Sequence, residues 1–196
     1  MAVRSCASRV FIAFAAVFLL GAWRMDAAPA PRGANDDALG TFNERVESYA
    51  ALHRRLADSL PRLHPNHDPW SHSLSRRYLA SAIRSARATA RQGDIFSPAV
   101  ADLFRMLIAN AFADGHTGAM FDVWPEEFWP VDNPLVNERF PTGASRAVPA
   151  VLLRHLPALP NEMEYRVVNG SLVLLDVDAD IVIDVLLDAF HVTSWV

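Results

Sequence analysis

The dipeptide Asn169-Gly170 is the feature that most constrains the fold, because it separates two short runs of β-prone residues. The runs are residues 165–168 (YRVV) and 171–175 (SLVLL). Asparagine and glycine both tolerate positive φ, which the two central residues of a tight hairpin turn require. The sequence therefore predicts an antiparallel hairpin near the C-terminal end of the chain.

Three segments before the hairpin have apolar residues at the three- and four-residue spacing of an amphipathic helix. This spacing predicts helices over residues 42–60 and 74–91, and a third from Pro98 to a stop at Gly115. Ser97 is a good N-cap for the third helix, and proline is favoured at the first helical position. A short helix is also predicted over residues 145–156.

Residues 178–190 (DADIVIDVLLDAF) fit two structures. Asp178 is suited to capping a helix, whereas the β-branched residues 181–183 suit a strand. We favour the helix. A run of helices followed by strands predicts an α+β domain, with an N-terminal helical half packed against a small C-terminal antiparallel sheet.

The first 30 residues have the pattern of a secretory signal peptide. Arg4 and Arg9 precede an unbroken apolar run over residues 10–23, and a small-residue segment over residues 26–30 (DAAPA) follows it. The run is shorter than the roughly 20 residues that span a bilayer core, which favours a cleaved signal. An uncleaved inner-membrane anchor is the alternative. We expect a signal over 1–30, a flexible linker over 31–41 and one globular domain over 42–196, exported to the periplasm or secreted.

Composition restricts the chemistry of the domain. The single cysteine, Cys6, lies in the signal segment, so the mature chain has no disulfide and no thiolate ligand. Cleavage after residue 30 moves the formal net charge from −4 to −6, a poor match for nucleic acid. All 18 basic residues are arginine, which points to a bacterial genome rich in arginine and alanine codons. Nothing in the composition calls for a cofactor.

Four arginines in the second predicted helix form the first candidate site. Arg77, Arg84 and Arg91 are seven residues apart, and Arg87 lies between the last two. On one helix they share a broad face, where guanidinium groups suit phosphate or carboxylate. The alternative is internal pairing, because residues 42–91 carry a net charge of +5 and residues 92–138 one of −7.

A second candidate site is the loop that contains His64, His67 and His72. Imidazoles and the carboxylate of Asp68 are ligands that zinc accepts, which suggests a small metal-dependent hydrolase. The spacing fits no regular zinc motif, however, and two prolines restrict the loop.

Two further acidic patterns do not support a site. Asp176, Asp178, Asp180 and Asp184 are spaced like calcium-loop ligands, but the required glycine and the final bidentate acid are missing. Glu126 and Glu127 are adjacent in the chain, so they cannot flank a glycosidic bond from opposite sides.

Four short segments carry a family resemblance: residues 83–87 (IRSAR), 93–98 (GDIFSP), 164–166 (EYR) and 172–179 (LVLLDVDA), together with Asp184. As a set they resemble a group of small exported bacterial proteins of unknown function. The resemblance covers residues 42 to about 190. It implies an export signal, a helical N-terminal half and a C-terminal hairpin, and it assigns no activity, cofactor or site residue.

These observations favour a non-catalytic exported module over an enzyme. The expected partner is an anionic component of the envelope or an acidic protein, bound by Arg77, Arg84, Arg87 and Arg91. We expect no nucleic-acid partner and no membrane contact beyond an uncleaved N-terminal segment. The metal-dependent hydrolase that uses His64, His67 and His72 is the alternative.

Overall fold

The computed structural model describes residues 33–60, 69–113, 133–141 and 146–190. The signal segment over 1–30 lies outside them. Helices come first and strands follow, which confirms the α+β class. The elements are α1 (Ala34–Ser59), α2 (Pro69–Ala86), α3 (Pro98–Ala113), β1 (Arg146–Ala147), α4 (Ala150–Leu153), β2 (Met163–Val168), β3 (Ser171–Asp176) and β4 (Ile181–Leu186).

The sheet has the order β1-β2-β3-β4, and each neighbouring pair is antiparallel. The predicted hairpin is confirmed: β2 pairs with β3 from Met163–Asp176 to Val168–Ser171. Asn169 and Gly170 have φ values of 47° and 72°, as a tight hairpin turn requires. A register irregularity follows Leu174 in the pairing of β3 with β4.

The predicted helix over residues 178–190 is wrong, because residues 181–186 form strand β4. All six residues of β3 and all six of β4 are buried. A strand buried on both faces loses the polar–apolar alternation that identifies a half-exposed strand. This explains why the sequence pattern alone did not separate helix from strand here.

Helix α1 begins at Ala34, eight residues before the predicted start, so the predicted linker is helical from residue 34 onward. Asp36 and Asp37 lie in its first turn, where carboxylates stabilise the positive end of the helix dipole. Ala38 is buried and continues the face of Phe42 one turn earlier. The helix ends before Leu60, which is extended as expected for a residue that precedes proline.

Helix α2 spans Pro69–Ala86 instead of the predicted 74–91. Its proline occupies the first position, where the missing N–H is not needed. The buried side of the helix is formed by Leu79, Ala80 and Ile83. Because the helix ends at Ala86, Arg87 and Arg91 lie beyond it.

The predicted start of α3 at Pro98 is confirmed, and the Ser97 carbonyl accepts the Ala101 N–H at 2.7 Å. The stop predicted at Gly115 lies outside the described residues. In place of a helix over 145–156, the chain forms strand β1, then Pro149, then the single turn α4.

The helices pack on one face of the sheet. Phe104 of α3 lies at the centre of this core, with ring centroids 4.8 Å from Phe42, 5.1 Å from Phe96 and 6.1 Å from Tyr165 of β2. A smaller apolar cluster on the opposite face includes Phe140 and Val173. Among the described helices, none combines the length and the apolar character needed to cross a membrane.

Candidate functional site

The four arginines predicted to share one helix face are divided by the structure. Arg77 and Arg84 are exposed side chains of α2, as predicted. Arg87 and Arg91 follow the end of the helix, so a single helical row of four is wrong. Arg91 is exposed, and its backbone N–H donates to the Asp94 carboxylate at 2.9 Å.

Arg87 is half-buried and held by internal contacts. Its two terminal nitrogens donate to the Asn137 side-chain oxygen at 3.2 Å and to the Ile183 carbonyl at 3.0 Å. Its guanidinium carbon lies 5.0 Å from the centre of the Tyr49 ring, within cation–π range. Burial lowers the pKa of Arg87 from its usual value. These contacts give Arg87 a structural position between α1, β4 and the segment that contains Asn137.

Asn137 connects the arginines to the sheet and has a left-handed φ of 66°, which asparagine tolerates. Its backbone N–H donates to the Val182 carbonyl at 2.8 Å, and its side-chain N–H donates to the Arg87 carbonyl at 2.7 Å. The Asn137 carbonyl accepts Nε of Arg84 at 2.8 Å. That bond engages Nε alone, so the two terminal nitrogens of this exposed side chain are not part of it.

The outward side of α2 carries both charge and apolar area. Arg77 and Tyr78 follow Leu74 by three and four residues, and Arg84 follows Arg77 by seven, which places the four along one side of a helix. We call these four residues the α2 outer face. Leu74 is 40% exposed and Tyr78 is 54% exposed. No acidic residue occurs anywhere in α2.

The histidine loop is only partly described. His64 and His67 lie outside the described residues, and His72 is an exposed residue of α2. Within the described ranges, no group of three or more histidine, cysteine or acidic side chains is arranged to hold a metal ion. Glu126 and Glu127 also lie outside these ranges.

A buried polar cluster joins α1 to the end of β3. Asp176, fully buried, accepts the Tyr49 hydroxyl at 2.6 Å and Nδ1 of His53 at 2.7 Å, both on one carboxylate oxygen. Its other oxygen accepts the backbone N–H groups of Asp178 at 3.1 Å and Ala179 at 2.7 Å. The carboxylate therefore fixes both the helix and the turn that leads to β4.

The ionisation of this cluster follows from its burial and charge. Burial raises the pKa of Tyr49, and the charge and hydrogen bond of Asp176 reinforce the shift, so Tyr49 is a neutral donor. Burial works against a charged His53. The hydrogen bond to Asp176 and the charges of Asp176, Asp178 and Glu162 outweigh it, so the pKa of His53 is raised.

A second buried carboxylate, Asp184 of β4, is surrounded by backbone donors. One oxygen accepts the N–H groups of Gly93 at 2.9 Å and Val185 at 2.8 Å. The other accepts those of Ile95 at 2.7 Å and Phe96 at 2.8 Å. Burial raises the pKa of Asp184, and the four hydrogen bonds oppose that rise. Asp184 thus secures the connection between α2 and α3 to the sheet.

Sequence reasoning missed Tyr49, His53 and Asn137. A signal for two of them was present: His53 and Tyr49 fall on the apolar face of α1, at helical spacing from Phe42. A histidine and a tyrosine on a buried face need buried hydrogen-bond partners, and acidic residues later in the chain are the natural candidates. Asn137 had no comparable signal, because its partners are about 50 residues away.

The four acids with calcium-like spacing do not converge on one point. Asp176 and Asp184 are buried in separate hydrogen-bond networks, and Asp180 pairs with Arg139 at 3.0 Å.

Comparison with protein-family models, with curated proteins and with solved structures finds no match to this chain.

Proposed function

We propose that this chain is a non-catalytic exported binding protein and that its α2 outer face recognises an anionic surface of the cell envelope. The observation that carries the proposal is the composition of that face. Two exposed arginines alternate with exposed Leu74 and Tyr78 on a helix that contains no acidic residue. An anionic lipid surface with apolar groups beneath its charges complements such a face. The proposal therefore extends membrane contact beyond the N-terminal segment, to which the sequence alone had confined it.

The contact that Arg84 makes with the protein supports a binding role over that of a solvated surface charge. Its Nε donates to the Asn137 carbonyl, which restricts the side chain before any partner arrives. A restrained guanidinium loses less conformational entropy on binding than a free one. Arg77, seven residues earlier, provides a second positive charge on the same side of α2.

Arg87 and Arg91 are not part of the proposed surface. Arg87 is engaged by Asn137, Ile183 and Tyr49, and Arg91 lies beyond the helix. The proposed site is therefore smaller than the sequence suggested. Export itself is part of the proposal and rests on the N-terminal sequence pattern.

Co-sedimentation of the full chain with lipid vesicles tests the proposal. One set of vesicles contains phosphatidylcholine alone, and the other adds phosphatidylglycerol. We expect preferential, salt-sensitive binding to the anionic vesicles. Arg77→Gln combined with Arg84→Gln should weaken that binding roughly 30-fold, from about 1 kcal/mol per arginine.

Arg105→Gln is the matched control, because Arg105 is a partly exposed arginine of α3 that pairs with Asp102 at 3.3 Å. It removes one positive charge from a different surface, where the double variant removes two, and should leave binding unchanged. The N-terminal segment is identical in all three proteins, so their differences report on α2. Equal binding of all three would refute the proposed site. A salt-sensitive acidic protein, cross-linked in the host envelope by the wild type and not by the double variant, would replace the lipid as partner.

A further inference from the structure

Both ring nitrogens of His53 face a carboxylate. Nδ1 lies 2.7 Å from Asp176, and Nε2 lies 3.4 Å from an oxygen of Asp178. The His53 side chain is only 4% exposed, whereas that of Asp178 is 59% exposed. A neutral imidazole carries one N–H, and only the imidazolium carries two. Favourable pairing with both carboxylates therefore requires the charged form.

The two carboxylates belong to adjoining parts of the fold. Asp176 is the last residue of β3, and Asp178 lies in the β3–β4 turn, residues 177–180. His53 lies on α1, more than 120 residues earlier in the chain. The two contacts of His53 thus join helix α1 to the turn that connects β3 to β4.

The other described charged and titratable groups near His53 come from three parts of the chain. Tyr49 and Arg54 lie on α1, and Tyr49 shares the Asp176 oxygen with His53. Glu162, just before β2, pairs with Arg54 at 3.2 Å. Arg87, after α2, lies over the Tyr49 ring. Three carboxylates act on His53 itself, and their combined charge favours the imidazolium.

We propose that His53 is a proton-operated latch between helix α1 and the β3–β4 turn. In the imidazolium form, Nδ1–H donates to Asp176 and Nε2–H attracts Asp178. When Nε2 releases its proton to water, its lone pair faces the Asp178 carboxylate and the attraction is lost. The Asp178 side chain then turns to solvent, while Nδ1–H remains on Asp176.

Release leaves the rest of the fold in place. The Asp178 and Ala179 backbone N–H groups stay bonded to Asp176, and the Asp180 N–H donates to the Asp176 carbonyl at 2.9 Å. Loosening is therefore confined to the turn and its surface. The latch is separate from the α2 outer face and does not depend on the proposed function.

Nuclear magnetic resonance of the full chain, with ¹⁵N-labelled histidine, tests the latch between pH 5.5 and 9. We expect both His53 nitrogens to be protonated at pH 6. The proton should leave Nε2 at a midpoint above the ordinary histidine value of about 6.5. The backbone amide signals of residues 178–180 should shift with the same midpoint. A midpoint at or below 6.5, loss of the Nδ1 proton first, or unresponsive turn amides would overturn the proposal.

Asp178→Asn is the decisive variant, because this exposed residue can be changed without disturbing the core. The His53 midpoint should fall toward 6.5, and the turn amides should stop following it. Asp188→Asn is the matched control, since Asp188 is an exposed aspartate in the turn after β4. It should leave the midpoint unchanged. Equal shifts of the His53 midpoint in the two variants would show that the midpoint responds only to the net charge of the protein, and would refute the latch.

Discussion

Asp176 and Asp184 are buried aspartates on neighbouring strands, and each accepts four hydrogen bonds from different kinds of donor. Around Asp184 all four donors are backbone N–H groups. Around Asp176 two are backbone N–H groups and two are the side chains of Tyr49 and His53. The hydrogen bonds to Asp184 therefore depend on the path of the backbone. Two of the four bonds to Asp176 depend instead on side chains that mutation can replace, and one of these, His53, titrates.

The contributions of the two networks to stability begin to change at different pH values. The pKa of Asp184 is raised, so protonation of Asp184 favours the folded state. This pH-dependent part of its contribution, separate from its hydrogen bonds, is complete below the unfolded value of about 3.9 and decreases as pH rises through the folded value. The pKa of His53 is also raised. Its contribution is complete below about 6.5 and is lost as pH rises through the higher folded value. The pH-dependent loss for Asp184 therefore begins at a lower pH than the loss for His53.

Asp184→Asn should cause the largest loss of stability. The amide offers one acceptor oxygen, and its NH₂ group faces two backbone donors, so buried N–H groups of the α2–α3 connection lose their partner. We expect a decrease of about 2–5 kcal/mol in the free energy of unfolding. Urea denaturation at pH 7 measures it, with exposed Asp188→Asn as control. A loss below about 1 kcal/mol would show that the connection does not need the carboxylate.

Tyr49→Phe should have the next largest effect, because it removes a neutral donor to a buried carboxylate and keeps the ring beneath Arg87. We expect a loss of about 1.5–3 kcal/mol in the free energy of unfolding. Tyr165→Phe is the control, because the hydroxyl of this buried tyrosine donates to the neutral Pro157 carbonyl at 3.0 Å. It should cost about 1 kcal/mol. Equal losses would mean that the charge of Asp176 adds nothing.

His53→Gln should change the pH dependence more than the stability at high pH. In the wild type, the free energy of unfolding should fall as pH rises from 6.5 through the folded pKa of His53. The variant should lose that fall, and the two proteins should differ most at pH 6. Denaturation curves between pH 6 and 9 provide the measurement. His72→Gln, an exposed histidine of α2, should keep the wild-type slope; loss of the slope in this control would contradict the assignment to His53.

Arg77→Gln should have the smallest effect on stability. It gives the change expected for an exposed residue, with which the losses from the two buried networks can be compared. Because the side chain is exposed on α2, we expect a change below about 0.5 kcal/mol in the free energy of unfolding. Thermal denaturation of the variant and the wild type checks this. A loss above 1 kcal/mol would show that Arg77 has an internal role and would remove it from the proposed binding face.

The parts of the fold that were predictable from sequence depend on neighbouring residues. The hairpin follows from Asn169-Gly170, and the start of α3 follows from Ser97-Pro98. The start of α1 was missed because residues 34–41 are mostly polar, and their helix is supported by the packing of Ala38. Strand β4 was missed because burial on both faces removed its periodicity.

The candidate site was predictable only in part, for a related reason. The exposed arginines of α2 can be recognised from their spacing, but the role of Arg87 cannot, because Asn137 and Ile183 are distant in sequence. His53 and Asp176 are also distant in sequence, 123 residues apart.

The sequence by itself determined the α+β class, the hairpin turn and the absence of cysteine after residue 6, because local backbone preference and composition are sufficient for each. Only the tertiary structure decided that Arg87 is held by internal contacts, that residues 181–186 form a strand, and that Asp176 and Asp184 are bound by different kinds of donor. The physical reason is that burial removes water as a partner. Each polar group must then find a donor or acceptor within the fold, and that partner can come from anywhere in the chain.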